Sequence, residues 1–147
     1  MDTTALWAVH GTVPAPVAAV AGLLLAVREG RVGDDNLLVL ARASAARQGA
    51  MTVVAGDGPG VYRAELAGRA EPVDVQVDRS SLRVQSWYAG VYRVTADRAG
   101  AVVTHHVHRV LPDHPGFASG IAEVGLRTRM ARDLNEVLRV IADRLGC

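Results

Sequence analysis

Lysine is absent from this 147-residue chain; its sixteen basic side chains, histidine aside, are all arginine, and fifteen acids bring the net charge to +1. The arginines are scattered and locally balanced, so they form no basic stripe and argue against nucleic-acid binding. Alanine, valine, glycine and arginine dominate, which fits a GC-rich coding sequence and makes the missing lysine a matter of composition rather than of guanidinium chemistry. Cysteine occurs once, at Cys147, which excludes an internal disulfide and lacks the downstream residues of a prenylation box. Aromatics are scarce: one phenylalanine, two tryptophans and three tyrosines. Long hydrophobic runs are missing too, although half of the residues are apolar. A membrane span needs roughly 18 or more uncharged apolar residues. The nearest approach, Val13 to Val27, contains Pro14 and Pro16 and is stopped by Arg28 and Glu29. It follows a strand-like stretch rather than a basic leader, which argues against a signal peptide. The expectation is a soluble, cytoplasmic protein without stable membrane insertion, built as one domain over residues 1–147.

The strongest pattern lies at the end of the chain, where Phe117 to Leu145 reads as one long amphipathic helix. Ile121, Val124, Thr128, Ala131, Leu134, Leu138, Ile141 and Leu145 recur every three or four residues, and Met130, Val137 and Ala142 widen the stripe. On the opposite side Glu123/Arg127, Arg129/Asp133 and Arg132/Glu136 are spaced four apart, each pair adding a few tenths of a kcal/mol to an exposed helix face. Pro112 and Pro115 end the preceding segment, Ser119 offers an N-cap, and Gly146 closes the helix. Gly120 and Gly125 thin its first turns, either tolerated at about 1 kcal/mol each or used for close approach to a sheet or ligand.

Upstream, Leu6 to Val13 predicts a strand, and Pro14 and Pro16 then open a helix to about Arg28. Asp34, Asp35 and Asn36 offer caps for a second helix through Arg47. Six short strands follow: Met51 to Ala55, Val61 to Ala67, Val73 to Val77, Leu82 to Tyr88, Val91 to Ala96 and Ala101 to Leu111. Turn residues separate them, including Gly56-Asp57-Gly58-Pro59-Gly60, Asp78-Arg79-Ser80 and Ala89-Gly90. Links this short favour an antiparallel meander. Alternation points Val73, Val75 and Val77 inward, with Tyr62, Ala64 and Leu66, then Leu82, Val84, Ser86 and Tyr88, and then Tyr92 and Val94. Arg63, Glu65, Asp74, Gln76, Arg83, Gln85, Trp87 and Arg93 point outward.

The order strand, two helices, six antiparallel strands and long terminal helix resembles the SRPBCC superfamily, the helix-grip fold of START-like domains, pathogenesis-related plant allergens and polyketide cyclases. The likeness spans the chain and is carried by "HGTVPAPVAAVAGLLLAV" and by "DRAGAVVTHHVHRVLP" leading to the terminal helix. Where such proteins often place aromatics and prolines after the first helix, this chain has "REGRVGDDN". The resemblance implies an α+β helix-grip fold: a seven-stranded antiparallel sheet curved around the C-terminal helix, with two short helices after strand 1. It also implies that the gap between helix and sheet binds a hydrophobic small molecule such as a lipid, sterol or polyketide. Some members are enzymes that fold and dehydrate aromatic polyketides, and fold alone does not decide between these activities.

Three histidines near the end of the last strand are the chief chemical candidates. On a regular strand His106 and His108 share one face and His105 takes the other, so the three cannot converge on one metal. His10 could add a ligand if the first strand pairs with the last, as the resemblance implies, but no cysteine or carboxylate completes a set; no metal and no cofactor are expected. These histidines are either polar positions of a half-exposed strand or pocket groups for hydrogen bonding and proton transfer. Tyr62, Tyr88 and Tyr92 either reach the cavity with their phenols or pack in the core. Ser86 could donate to a ligand carbonyl, with no triad arranged around it. Trp7 and Trp87 are packing residues or ligand contacts, and Arg109 defaults to solvent. The expected binding set is Tyr62, Leu66, Val75, Val84, Ser86, Tyr88, Tyr92, His106 and His108 from the sheet. Leu126, Met130 and Leu134 join it from the helix, with the pocket under the thin end near Gly120 to Thr128. The alternatives are a polyketide cyclase or aromatase using His106, His108 and Tyr88 as acid/base groups, and a structural module whose cavity is filled by its own side chains. The expected partner is a hydrophobic small molecule, with a homodimer left open.

Overall fold

A computed structural model describes residues 7–32, 51–66, 73–85, 88–110 and 123–147. The strands are β1 (Trp7–Val13), β2 (Gly30–Arg31), β3 (Met51–Ala55), β4 (Val61–Leu66), β5 (Val73–Val77), β6 (Ser81–Gln85), β7 (Tyr88–Asp97) and β8 (Gly100–Val110). The helices are α1 (Val17–Leu24) and α2 (Glu123–Leu145). All eight strands form one antiparallel sheet in the order β1-β8-β7-β6-β5-β4-β3-β2. The first strand thus closes onto the last, with Trp7 opposite Val107 and Val13 opposite Ala101.

The alternation of side chains sorts the sheet into two faces. Val75, Ala64, Leu82, Val84, Tyr92 and Val94 are buried on one face, while Arg63, Asp74, Gln76, Arg83, Gln85 and Arg93 stand exposed on the other. Both sets match the period-two expectation. The helix covers the buried face from the β1 side: a Cβ added to Gly11 would sit 2.5 Å from Leu138 Cδ1 and 3.4 Å from Asn135 Oδ1. A side chain at position 11 would therefore have to displace the end of the Leu138 side chain, which packs over Gly11. Leu134, Val137, Leu138 and Ile141 join Val13, Val20, Leu24, Val103 and the inward residues of β3 to β7 in one contiguous core. Each such large aliphatic side chain contributes roughly 1.5–3 kcal/mol by leaving water.

Several sequence expectations change. The sheet has eight strands, not seven, because Gly30 and Arg31 pair with Val53 and Thr52; two exposed residues carry no apolar alternation to read. The first helix ends at Leu24 rather than Arg28, since Leu25 leaves the helical region at φ −95° and ψ 13°. The strand expected over Leu82 to Tyr88 is β6 and ends at Gln85, while Tyr88 opens β7. Ala89-Gly90, taken as a turn, lies inside β7 at an irregularity opposite β8: Gly90 pairs with Val107, Ala89 with Arg109, and His108 is the extra residue. On α2 the buried stripe is Met130, Leu134, Val137, Leu138 and Ile141, and Thr128 is exposed. The second helix expected over Asn36 to Arg47, and the expected start of the terminal helix from Phe117 to Ala122, lie outside the described residues. No helix among the described residues is long and apolar enough to cross a membrane.

Candidate functional site

Strand register lines up the inner face in rows that cross the sheet. One row runs Trp7, Val107, Gly90, Val84, Val75 and Tyr62 from β1 to β4. Beside it runs Val9, His105, Tyr92, Leu82 and Val77. Gly90 therefore leaves the first row without a side chain between Val107 and Val84. Positive φ is confined to Gly30, Gly60, Gly100 and Gly146 among the described residues, so Gly90 is not there for backbone freedom. What it contributes is a position without a side chain on the inner face, where a strand glycine lets something else approach the backbone.

The side chains around this gap are the polar-bearing ones of an otherwise aliphatic face. Trp7 is 7% exposed, and its Nε1 is buried with no hydrogen-bond partner among the described residues. Trp7, Val107 and Met130 are buried yet fall outside the contiguous core. His105 is 2% exposed and lies flat on Tyr92, ring centroids 4.0 Å apart and planes 10° from parallel. Burial, helped by the positive field of His106, lowers the His105 pKa from 6.5 to about 4. At neutral pH His105 is thus an uncharged imidazole, with one nitrogen that donates and one that accepts.

The placement of the sequence candidates follows from β8. Ala101, Val103, His105 and Val107 occupy its buried face, so His106 and His108 stand on the opposite, outer face of the sheet. The expectation that these two line the pocket is corrected: the register against β1 and β7 turns His105 inward beside Tyr92. The His106 and His108 rings lie 6.3 Å apart; burial first, then His108 and Arg93, lowers the His106 pKa. No group of three or more histidine, cysteine or acidic side chains that could hold a metal occurs among the described residues. Tyr62 is half-buried against the core, Tyr92 is buried in it, and Val75, Val84 and Leu134 are core positions. Met130 is buried outside that core. Ser86 and Trp87 lie outside the described residues, as do the side chains of Leu66, Tyr88, Arg109 and Leu126. The inward roles of Trp7, His105 and Gly90 were not singled out from sequence. The one signal present was the pairing of the first strand with the last, which would have fixed the face of β8 had the register been known.

No family model and no curated protein matches the sequence. Among solved structures the chain is similar to the Bacillus halodurans protein BH1534, with a TM-score of 0.54 and 14% identity over 96% of this chain and 98% of that one. It is also similar to Ara h 8.0201, with a TM-score of 0.52 and 14% identity over 94% of this chain and 95% of that one. Ara h 8 is a Bet v 1 allergen, and Bet v 1-like proteins belong to the SRPBCC superfamily. At this identity the likeness is one of fold: an α+β Bet v 1-like helix-grip arrangement, a large antiparallel sheet with a C-terminal helix.

Proposed function

We propose that the protein binds a hydrophobic small molecule, lipid-like or polyketide-like, between α2 and the inner face of the sheet. The observation that carries this is the missing side chain at Gly90 in the row Trp7, Val107, Gly90, Val84, together with the buried indole Nε1 of Trp7 at the end of that row, which has no hydrogen-bond partner among the described residues. Apolar walls with a few fixed polar groups are what a small-molecule site requires. The indole N–H offers a donor to a ligand oxygen, and the apolar body of the ligand would lie against Gly90 between Val84 and Val107.

Binding is favoured over acid/base catalysis by the state of the inward histidine. A general base works best with a pKa near the working pH, and burial holds His105 near 4. Two of the three groups expected to move protons in a cyclase, His106 and His108, stand on the other face of the sheet.

The test is native mass spectrometry of freshly purified protein together with a titration of the apolar dye 1-anilinonaphthalene-8-sulfonate. A co-purifying or competing apolar ligand, and loss of dye binding in Gly90→Leu at an unchanged melting temperature, are the expected results. Dye binding that Gly90→Leu leaves intact, or no dye binding by the wild-type chain, would overturn the assignment.

A further inference from the structure

The outer face of the sheet holds a concavity of its own. It is a cleft of about 430 Å³ whose lining includes Gly60, Gln76, Asp78, Ser81, Arg83 and Arg93, a volume in the range of small-molecule sites. Its walls are fixed by two turns. The turn before β4 folds against the end of β5, where Val77 N donates to Gly60 O at 2.8 Å. Gly60 has φ +72°, and a Cβ there would lie 2.5 Å from Val77 O, so only glycine brings this wall so close. The turn between β5 and β6 is held by Asp78, which accepts from Ser80 N at 2.9 Å, Ser81 N at 2.8 Å and Ser81 Oγ at 2.7 Å.

The lining of this cleft carries two guanidinium groups, Arg83 and Arg93, and one carboxylate, Asp78. Arg83 pairs in register with Gln76 and with Val91, and Arg93 with Ser81, which makes the two arginines diagonal neighbours on adjacent strands. Like charges so placed repel. Neither guanidinium forms an ion pair or hydrogen bond among the described residues. Asp78 feels the field of Arg93, but both its oxygens are already occupied by the Ser80-Ser81 turn. Nearby Arg63 and Asp74 approach one another at 3.7 Å, which shows that the same face pairs its charges where a partner exists.

We propose that this cleft is an oxyanion site, which takes the phosphate or carboxylate group of a small molecule between Arg83 and Arg93, with the Gln76 amide as a further donor. Arginine presents N–H groups in a planar fork that matches the two oxygens of either group. Asp78 holds the backbone of the site through its bonds to Ser80 and Ser81.

The experiment is an amide NMR titration of the full chain with inorganic phosphate at pH 7 and constant ionic strength, run in parallel with acetate. Saturable shifts at Ser81, Arg83 and Arg93 are expected, weakened about tenfold in R83Q and in R93Q, since each removes a charge-assisted pair. The better of the two ions distinguishes a phosphate ligand from a carboxylate. Both substitutions are at exposed positions and leave the melting temperature unchanged, and R83K restores part of the affinity. Shifts that grow linearly without saturation for both ions, or binding undiminished in both variants, would overturn the proposal.

Discussion

Tyr92 and His105, opposite one another on β7 and β8, stack ring on ring at 4.0 Å on the buried face of the sheet. The contact joins the two longest strands among the described residues, and it places a titratable group out of water. The consequences for stability and for packing can be measured.

Acid should destabilise the protein through His105. Its folded pKa of about 4 lies below the unfolded 6.5, so as pH falls the unfolded chain takes up a proton first. The stabilisation is complete above pH 6.5, is lost progressively between 6.5 and about 4, and changes no further below that. The total is about 3 kcal/mol. Urea denaturation of the wild type and of His105→Phe across that window should show the wild type losing about 3 kcal/mol relative to the variant as pH falls. Parallel pH profiles would contradict it.

Gly11→Ala should be costly although alanine suits a strand better than glycine. The new methyl group meets Leu138 Cδ1 at 2.5 Å, and Leu138 is itself a core residue. Overpacking of this kind costs about 1–3 kcal/mol. Adding Leu138→Val should recover part of the loss in a double-mutant cycle, and additive effects of the two changes would count against this contact.

Ile141→Ala should lower stability by about 2–5 kcal/mol, because Ile141 is fully buried at the centre of the contact between α2 and the core. Met130→Ala removes a similar volume at a site outside the contiguous core. It should cost less, and chemical denaturation of both variants reads the difference.

Asp133→Asn should raise the melting temperature at neutral pH. Burial on α2 raises the Asp133 pKa, opposed by Arg129 and reinforced by Glu136. A raised folded pKa means that stability from this group is present at low pH and lost as pH rises through the folded value. The gain in the asparagine variant should therefore vanish in acid, which thermal melts at two pH values would show.

The inner and outer faces of β4, β5 and β6 were legible because each strand alternates aliphatic with charged residues, as in Val73-Asp74-Val75-Gln76-Val77. β8 was not legible in the same way. In Thr104-His105-His106-Val107-His108 polar residues fall on both faces, and neither parity is forbidden by hydrophobicity. Pairing with Val9 and Tyr92 decided it. Gly90 carried a turn signal in sequence and lies inside a strand, because a glycine looks the same locally in either role.

By itself the sequence determined the order of β1, α1, β3 to β8 and α2, the antiparallel meander, the amphipathic terminal helix and the sorting of most side chains between core and solvent, since these follow from periodicities within single segments. Tertiary structure alone decided which histidine faces inward, where the inner face lacks a side chain, and that Arg83 and Arg93 share one cleft. Each of those depends on register between strands, where a shift of one residue or a single bulge reverses every side chain beyond it.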